Sequence, residues 1–385
     1  MSKDIDSIIE LQKLGIKLPQ NLKKEIEESH YYTIKRKNNN TLKKYAYIFS
    51  NEYNKCNENK FNNESLWYYK QHIYNKISGK TSEIINEYIL SNDIKFPQLS
   101  IRNLLSYIEQ KIVPRVKKYY LNKAHVNEKS ITPWNYSILD FQILHNIQRN
   151  EGKFGPSIIY LLPNSLYEFK KHLEVSFTKG FWDLKSYQEK PDYSFALNFP
   201  NKNRTFISIY PENSIFDNIY LGHEIGHAFY NYMNKKAFNV SNSETVAYVF
   251  QNYYSLKFIK SNSLINDYIY EFDSGICLHA LKYYFIYYCL THVNSTQKEK
   301  SEIFNKGISL FTPWLIIPSD YKRIENNSWC NLTNDFLTPF YSSFNIIAML
   351  RIRDLLIKKD ISNFESLISN MNNNGCIELG SKIYL

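Results

Sequence analysis

The chain has 385 residues, of which 43% are hydrophobic and 22% charged, so it can bury a sizeable core as one large domain or two. Its five cysteines are odd in number and contain no Cys-x-x-Cys spacing, which disfavours a disulfide framework and fits reduced thiols in a cytosol. The net charge of +10 is compatible with an acidic peptide or a nucleic acid as partner, but a basic surface more often only faces solvent, and we expect no nucleic acid.

The N-terminal part of the chain alternates apolar and charged residues at helical spacing. The pattern predicts helices over 7–29, 41–56, 62–90 and 100–124, separated by Asn-rich or Pro-containing breaks. The polar first residues predict no signal peptide. The stretch 148–156, rich in glycine, proline and charge, is the best candidate for a linker. We therefore predict a helical N-terminal region over 1–150 and a second region over 151–385.

Two stretches further on are rich in aromatic and β-branched residues. They predict strands over 192–199 and 204–210, with residues 200–203 as the turn between them. Because the second strand leads directly into the next helix, an extended peptide could add to this sheet as a further strand. The alternative is an ordinary sheet without a ligand role.

The next helix carries the most informative motif, His223-Glu224-Ile225-Gly226-His227. Residues four apart on a helix point the same way, so both imidazoles can bind one metal ion. Glu224 lies close enough to take a proton from a metal-activated water rather than to bind the metal. The alternative is an accidental pattern on a packed helix.

Two glycines, Gly222 and Gly226, interrupt this helix, and each is less favourable than alanine by about 1 kcal/mol. Either a second helix or strand approaches closely at these positions, or the glycines only relieve local crowding. The sequence does not distinguish the two interpretations.

A catalytic zinc ion usually has three protein ligands and a water molecule, so two histidines leave one ligand to be found. A further helix is predicted from about Ser241, and Glu244 near its start is our candidate for the third ligand. The alternative is a capping box, in which Glu244 would only accept a hydrogen bond from the backbone of Ser241.

The C-terminal part of the chain predicts helices over 264–292, 298–310 and 339–358. The first of these is the most apolar stretch, but it contains charged and titratable residues, so we expect a buried aromatic helix and no membrane span. Four further side chains could contact a substrate, although core or solvent-exposed positions are commoner: His279, His292, Arg351 and Arg353.

At four places the chain resembles the oligoendopeptidase F and thimet oligopeptidase family of zinc metallopeptidases. These are Leu221–Asn231, which is similar to the metal-binding helix, Ser243–Phe250, which is similar to the next helix, Phe181–Lys185 with the strand 205–210, and Trp329 with Thr338–Tyr341.

The resemblance implies a mainly α, zincin-like (gluzincin) fold with a small β-sheet beside the active-site helix. It implies one Zn²⁺ per chain, bound by His223, His227 and Glu244, with Glu224 as general base and Tyr341 as donor to the oxyanion. Residues 1–150 would then form a lid or channel wall, and 151–385 the catalytic region. The function expected is a zinc-dependent endopeptidase or oligopeptidase that hydrolyses peptide bonds in the cytoplasm.

The chain also departs from the family pattern. Gln251 stands where a second acidic residue often supports the metal site, and only Tyr341 matches the C-terminal tyrosines. Family members are also typically much longer. These departures leave open an alternative function, a non-cleaving peptide-binding or regulatory protein that keeps the fold. The sequence gives no oligomeric state.

Overall fold

The computed structural model describes residues 63–92, 102–123, 132, 155–185, 194–199, 203–211, 215–234, 240–315 and 326–374. Within these ranges the chain is mainly helical and contains one small sheet, as predicted. The sheet has three strands, of which two were predicted. The predicted helices over 7–29 and 41–56 lie outside the described residues.

The helices follow one another along the chain as α1 (Asn63–Asn92), α2 (Arg102–Tyr107), α3 (Val113–Lys123), α4 (Tyr167–Thr178), α5 (Ile215–Met233), α6 (Val240–Phe258), α7 (Asn262–Thr291), α8 (Gln297–Phe311), α9 (Tyr341–Lys358) and α10 (Ile361–Asn374). A π-helical segment joins α2 to α3, and shorter 3-10 segments occupy Pro156–Leu161, Asn164–Leu166 and Ser328–Leu337. The helices predicted between residue 62 and residue 124 and those predicted after residue 260 are thereby confirmed to within a few residues at their ends, where helix boundaries are least certain.

The chain forms two compact units, each built from separate stretches. Over its described residues, the first unit draws on Leu144–Ile269 and Ile347–Leu385, and the second on Arg36–Ile143 and Tyr270–Ile346. Residues on both sides of position 150 therefore belong to the second unit. The roles predicted for 1–150 and 151–385 stay predictions.

The sheet of the first unit consists of β1 (Trp182–Asp183), β2 (Phe195–Phe199) and β3 (Arg204–Ser208), in the order β1-β3-β2. β1 runs parallel to β3, and β2 pairs antiparallel with it, so that Phe195 faces Ser208 and Phe199 faces Arg204. Asn203 closes the β2–β3 connection with a φ of 49°, a left-handed conformation that asparagine tolerates better than most residues. Both predicted strands are confirmed, although each is shorter than expected.

Two helices pack on this sheet. β3 is buried from Thr205 to Ser208, with α4 against it and α5 against both β2 and β3. Three apolar residues of α5 are fully buried, Ile219, Ile225 and Phe229. The sheet and its apolar contacts therefore hold α5 in place.

The second unit has an aromatic core of its own around α7 and α8. Phe285 on α7 packs against Phe304 of α8 and against Trp329, whose ring is fully buried. α8 begins at a capping box in which Thr296 and Glu299 exchange hydrogen bonds, each satisfying a backbone N–H that the helix leaves free. Among the described helices, none is both long enough and apolar enough to cross a membrane.

Candidate active site

The two motif histidines lie one turn apart on the same face of α5. Their ring centroids are 4.8 Å apart, and each side chain remains partly open to solvent, with exposures of 16% for His223 and 17% for His227. Burial lowers the pKa of His223 to about 4, and burial together with His223 lowers the pKa of His227 well below its usual value. Both imidazoles are therefore neutral at physiological pH, the form that binds a metal ion.

The glycines of α5 allow α6 to approach closely. A Cβ atom added to Gly226 would lie 2.6 Å from the Cα of Ala247 and 2.9 Å from the carbonyl oxygen of Val246. At Gly222 it would lie 2.4 Å from a ring carbon of Tyr254. Of the two interpretations considered from the sequence, the close approach of a second helix is therefore the one observed. It brings the first turns of α6 beside the motif histidines.

Glu244, near the start of α6, lies opposite both histidines. Its Oε2 is 3.7 Å from Nε2 of His223, and its Oε1 is 3.6 Å from Nε2 of His227. The carboxylate is buried, with 4% exposure. This position is the one that a third metal ligand requires.

The three side chains fit a zinc ion. Their ligand atoms all lie within 4.8 Å of one another. Tetrahedral zinc with bonds of about 2.0–2.2 Å separates its ligand atoms by about 3.3–3.6 Å, and the contacts to Glu244, at 3.7 and 3.6 Å, lie close to the upper end of that range. Two histidines and a carboxylate are also the donor set of a common class of catalytic zinc sites.

Glu224 provides a second buried carboxylate near Glu244. It is 5% exposed, and its Oε2 has no hydrogen-bond partner among the residues that the structure describes. Burial raises its pKa well above the usual value, and the negative charge of Glu244 raises it further. Two neighbouring buried carboxylates repel each other, and a divalent cation would remove this repulsion.

The outer nitrogen of each imidazole is held by a side chain of α6. Nδ1 of His223 lies 2.8 Å from Oε1 of Gln251, and Nδ1 of His227 lies 2.8 Å from Oγ of Ser243. Nε2 of each ring is therefore the nitrogen that faces Glu244. Gln251 was noted in the sequence only as a departure from the family pattern, and Ser243 was missed. Both were detectable, because Ser243 precedes Glu244 and Gln251 follows it by two helical turns.

The structure places Tyr341, the predicted oxyanion donor, at the first position of α9. It belongs to the second unit and is 41% exposed. His279 belongs to that unit as well, and burial together with Lys282 lowers its pKa to about 3. His292 stacks on Tyr288 with ring centroids 4.3 Å apart. The roles considered for these residues stay predictions.

The two arginines considered as substrate ligands lie on the part of α9 that belongs to the first unit. Nη1 of Arg351 donates to Oγ1 of Thr245, at 3.3 Å, one residue after Glu244. Arg353 is buried and lies 3.9 Å from the carboxylate of Asp354. Arg351 therefore braces α6 next to Glu244, whereas a contact of either arginine with substrate stays a prediction.

Comparison with known proteins gave three structural neighbours, although no protein-family model and no curated protein sequence matches the chain. PZ peptidase A, solved with an inhibitor, superposes with a TM-score of 0.59 at 13% sequence identity, covering 81% of this chain and 61% of its own. A protein assigned as an oligoendopeptidase F superposes with a TM-score of 0.57 at 12% sequence identity, covering 96% of this chain and 65% of its own. A second protein assigned as an oligoendopeptidase F, from Bacillus anthracis, superposes with a TM-score of 0.53 at 13% identity, covering 94% of this chain and 62% of its own.

At these identities the likeness concerns the fold alone. The chain spans about six tenths of the length of each neighbour. The neighbours are named as peptidases, and this chain is mainly helical, with its small sheet packed beside the helix that carries His223 and His227. The chain has the helical, zincin-like fold of oligoendopeptidase F.

Proposed function

We propose that the chain is a zinc-dependent peptidase, an endopeptidase or oligopeptidase that hydrolyses peptide bonds. The observation that carries the proposal is the meeting of His223, His227 and Glu244 from two helices, with a second buried carboxylate, Glu224, beside them. The fold supports the same class of activity, because the structural neighbours are named as peptidases.

One zinc ion per chain would be held by Nε2 of His223, Nε2 of His227 and the carboxylate of Glu244. When bound, zinc supplies a Lewis acid and lowers the pKa of a water molecule to about 7. The protein contributes neutral imidazoles whose outer nitrogens are already occupied by Gln251 and Ser243, so neither ring needs to turn when the ion enters. The partial exposure of the histidines leaves a side of the site open to substrate.

Glu224 acts as the general base. Its buried Oε2, which lacks a partner among the described residues, accepts the proton of the attacking water and later returns it to the leaving amine. A carboxylate suits both steps, because the acid formed when it takes the proton can release that proton to an amine. Tyr341 remains our candidate for the donor to the oxyanion.

A short peptide is the proposed substrate class. PZ peptidase and oligoendopeptidase F are named for peptide hydrolysis, and this chain shares their fold. We also propose a cytoplasmic location for this activity.

The second candidate function is a non-cleaving protein that binds peptides or regulates a partner. It is favoured by the amide of Gln251 at a position where the family often has a carboxylate. Tight peptide binding without cleavage of any peptide in an unbiased mixture would support it, and new N-termini found by mass spectrometry would exclude it.

The decisive experiment compares the full chain with Glu224→Gln, which keeps the shape of the side chain and removes the base. We expect one zinc per chain by elemental analysis in both proteins and a loss of peptide hydrolysis of about 10²–10⁴-fold in the variant. Glu302→Gln, at an exposed position of α8, is the matched control and should cleave like wild type. Unchanged activity of Glu224→Gln, or wild-type protein that binds no zinc, would overturn the proposal.

A further inference from the structure

Beyond the side chains that meet at the candidate zinc site, a line of hydrogen bonds leads away from His223 into the first unit. Nδ1 of His223 contacts Oε1 of Gln251 at 2.8 Å, and Nε2 of Gln251 donates to the hydroxyl of Tyr268 at 3.1 Å. The hydroxyl of Tyr268 donates to Oδ1 of Asn252, also at 3.1 Å. Asn252 ends the line, because its Nδ2 donates to the backbone carbonyl of Tyr248 at 2.8 Å.

Which group donates in each of these hydrogen bonds follows from the last one, between Asn252 and the backbone carbonyl of Tyr248. A backbone carbonyl can only accept, so the amide nitrogen of Asn252 must face Tyr248, and its oxygen is left to accept from Tyr268. Burial raises the pKa of Tyr268 to about 12, so its hydroxyl keeps the proton that it donates. Having used that proton, the hydroxyl accepts from the amide nitrogen of Gln251.

The same reasoning fixes the histidine. With its nitrogen towards Tyr268, Gln251 presents its oxygen to His223, and that oxygen can only accept. Nδ1 of His223 therefore carries the ring proton, and Nε2 has the free lone pair that faces Glu244. If the amide of Gln251 were turned over, its nitrogen would donate to Nδ1, and the proton would move to the nitrogen that should bind the metal.

Among the residues that the structure describes, no such line leads from the second histidine. Nδ1 of His227 contacts the hydroxyl of Ser243, which can donate as well as accept, so this contact permits either tautomer. The two imidazoles are therefore held differently: Gln251, Tyr268 and Asn252 set the tautomer of His223, whereas Ser243 only holds the ring of His227.

We propose that Tyr268 and Asn252 are positioning residues of the metal site, which act through the neutral amide of Gln251 to keep Nε2 of His223 ready to bind the ion. The inference rests on the proposed zinc site for its purpose, but not for its geometry. An imidazole that donates to a neutral amide is a weaker metal ligand than one that donates to a carboxylate. We therefore expect the wild-type chain to bind zinc more weakly than its Gln251→Glu variant.

The first test reads the tautomer directly in the metal-free protein. Tyr268→Phe removes one buried hydroxyl and leaves the amide of Gln251 free to turn over. Tyr254→Phe is the matched control, since its hydroxyl is equally buried and donates to the carbonyl of Ile158, away from the histidines. Long-range proton–nitrogen NMR spectra of histidine-labelled protein should show the proton of His223 on Nδ1 in wild type and Tyr254→Phe, and a mixture of tautomers in Tyr268→Phe.

The second test measures zinc affinity by competition with a chelator. We expect Gln251→Leu to bind zinc about 10–100-fold more weakly than wild type, and Gln251→Glu about 10-fold more tightly. The zinc affinity of Tyr268→Phe should be lower than that of Tyr254→Phe, although both variants lose one hydroxyl. A protonated Nε2 in wild type, or equal tautomers and equal affinities in the two tyrosine variants, would overturn the inference.

The two proposals fail in distinguishable ways. Protein that shows the expected tautomers but binds no zinc would refute the proposed function and leave only the control of the His223 tautomer by Tyr268 in place. If the protein binds zinc and cleaves peptides, but Tyr268→Phe changes neither the tautomer of His223 nor the zinc affinity, only the positioning role is refuted.

Discussion

The first unit buries two carboxylates, Glu224 and Glu244, beside two neutral imidazoles, whereas the second unit buries the ammonium group of Lys300 among oxygen atoms. Lys300 is fully buried on α8. Its Nζ donates to Oγ of Ser82 at 2.9 Å, to Oδ1 of Asn86 at 2.9 Å and to the carbonyl of Ser295 at 2.6 Å. Every proton of the ammonium group thus has an acceptor.

The comparison separates a structural polar cluster from a functional one. A buried charge whose hydrogen bonds are complete holds neighbouring segments together and binds nothing further. The cluster in the first unit contains groups that accept rather than donate, and Oε2 of Glu224 lacks a partner within the described part of the chain. Such a set is completed by a cation, which is why we propose metal binding and the general base in the first unit and a structural role for Lys300.

The largest effect on stability is expected when the complete cluster is broken. Lys300→Met keeps the length of the side chain but leaves the oxygens of Ser82 and Asn86 without their donor, so the free energy of unfolding should fall by about 3 kcal/mol. Lys298→Met, at a position of α8 that is 78% exposed, is the control and should change little. Urea unfolding measures the difference, and zinc stoichiometry should be unchanged in both. Equal stabilities would mean that Lys300 is not a structural group.

A smaller loss is expected where α5 and α6 touch. Gly226→Ala places a Cβ atom 2.6 Å from the Cα of Ala247 and forces the helices apart, at a net cost of about 1–2 kcal/mol after the gain in helix propensity. Zinc affinity should fall with it, because Glu244 moves with α6. Gly79→Ala in α1 meets only a side-chain oxygen at 3.4 Å and should stabilise the protein. Thermal unfolding of both variants checks the prediction, and a stabilised Gly226→Ala would contradict the close packing.

The smallest effect has the opposite sign. Glu244→Gln removes one of two neighbouring buried carboxylates, so with chelator present the variant should be more stable than wild type by about 1 kcal/mol. It should also lose stoichiometric zinc and peptide hydrolysis. Stability is measured by urea unfolding in the presence of chelator, with Glu302→Gln as the exposed control. A less stable variant would show that Glu244 supports the fold rather than the ion.

Local rules of sequence were sufficient for most of the described helices, for the strands β2 and β3 and for the pair His223 and His227, but they did not predict α4, α10 or β1. Two residues four apart on a helix share a face whatever the rest of the chain does, so the spacing alone brings the imidazoles together. Glu244 was reached only as one of two interpretations, because the same residue at the start of a helix also suits a capping box. The short distances from Glu244 to both imidazoles favour the ligand interpretation.

Other parts of the site depend on residues that sequence rules treat separately. The glycines of α5 look unfavourable by helix propensity, and only the neighbouring α6 gives the reason for them. Tyr268 is 17 residues from Gln251, and nothing in their spacing relates the two. Lys300 was not singled out at all, since its acceptors Ser82 and Asn86 lie 218 and 214 residues away.

The sequence by itself determined the mainly helical class, the position of the small sheet and the two histidines with Glu224 between them. Each of these follows from the pattern of a short stretch of neighbouring residues. The tertiary structure decided that Glu244 faces both imidazoles, that a neutral amide holds His223, and that a buried lysine is structural. These depend on which helices pack together, and packing is set by the shapes and hydrogen bonds of residues far apart in the chain.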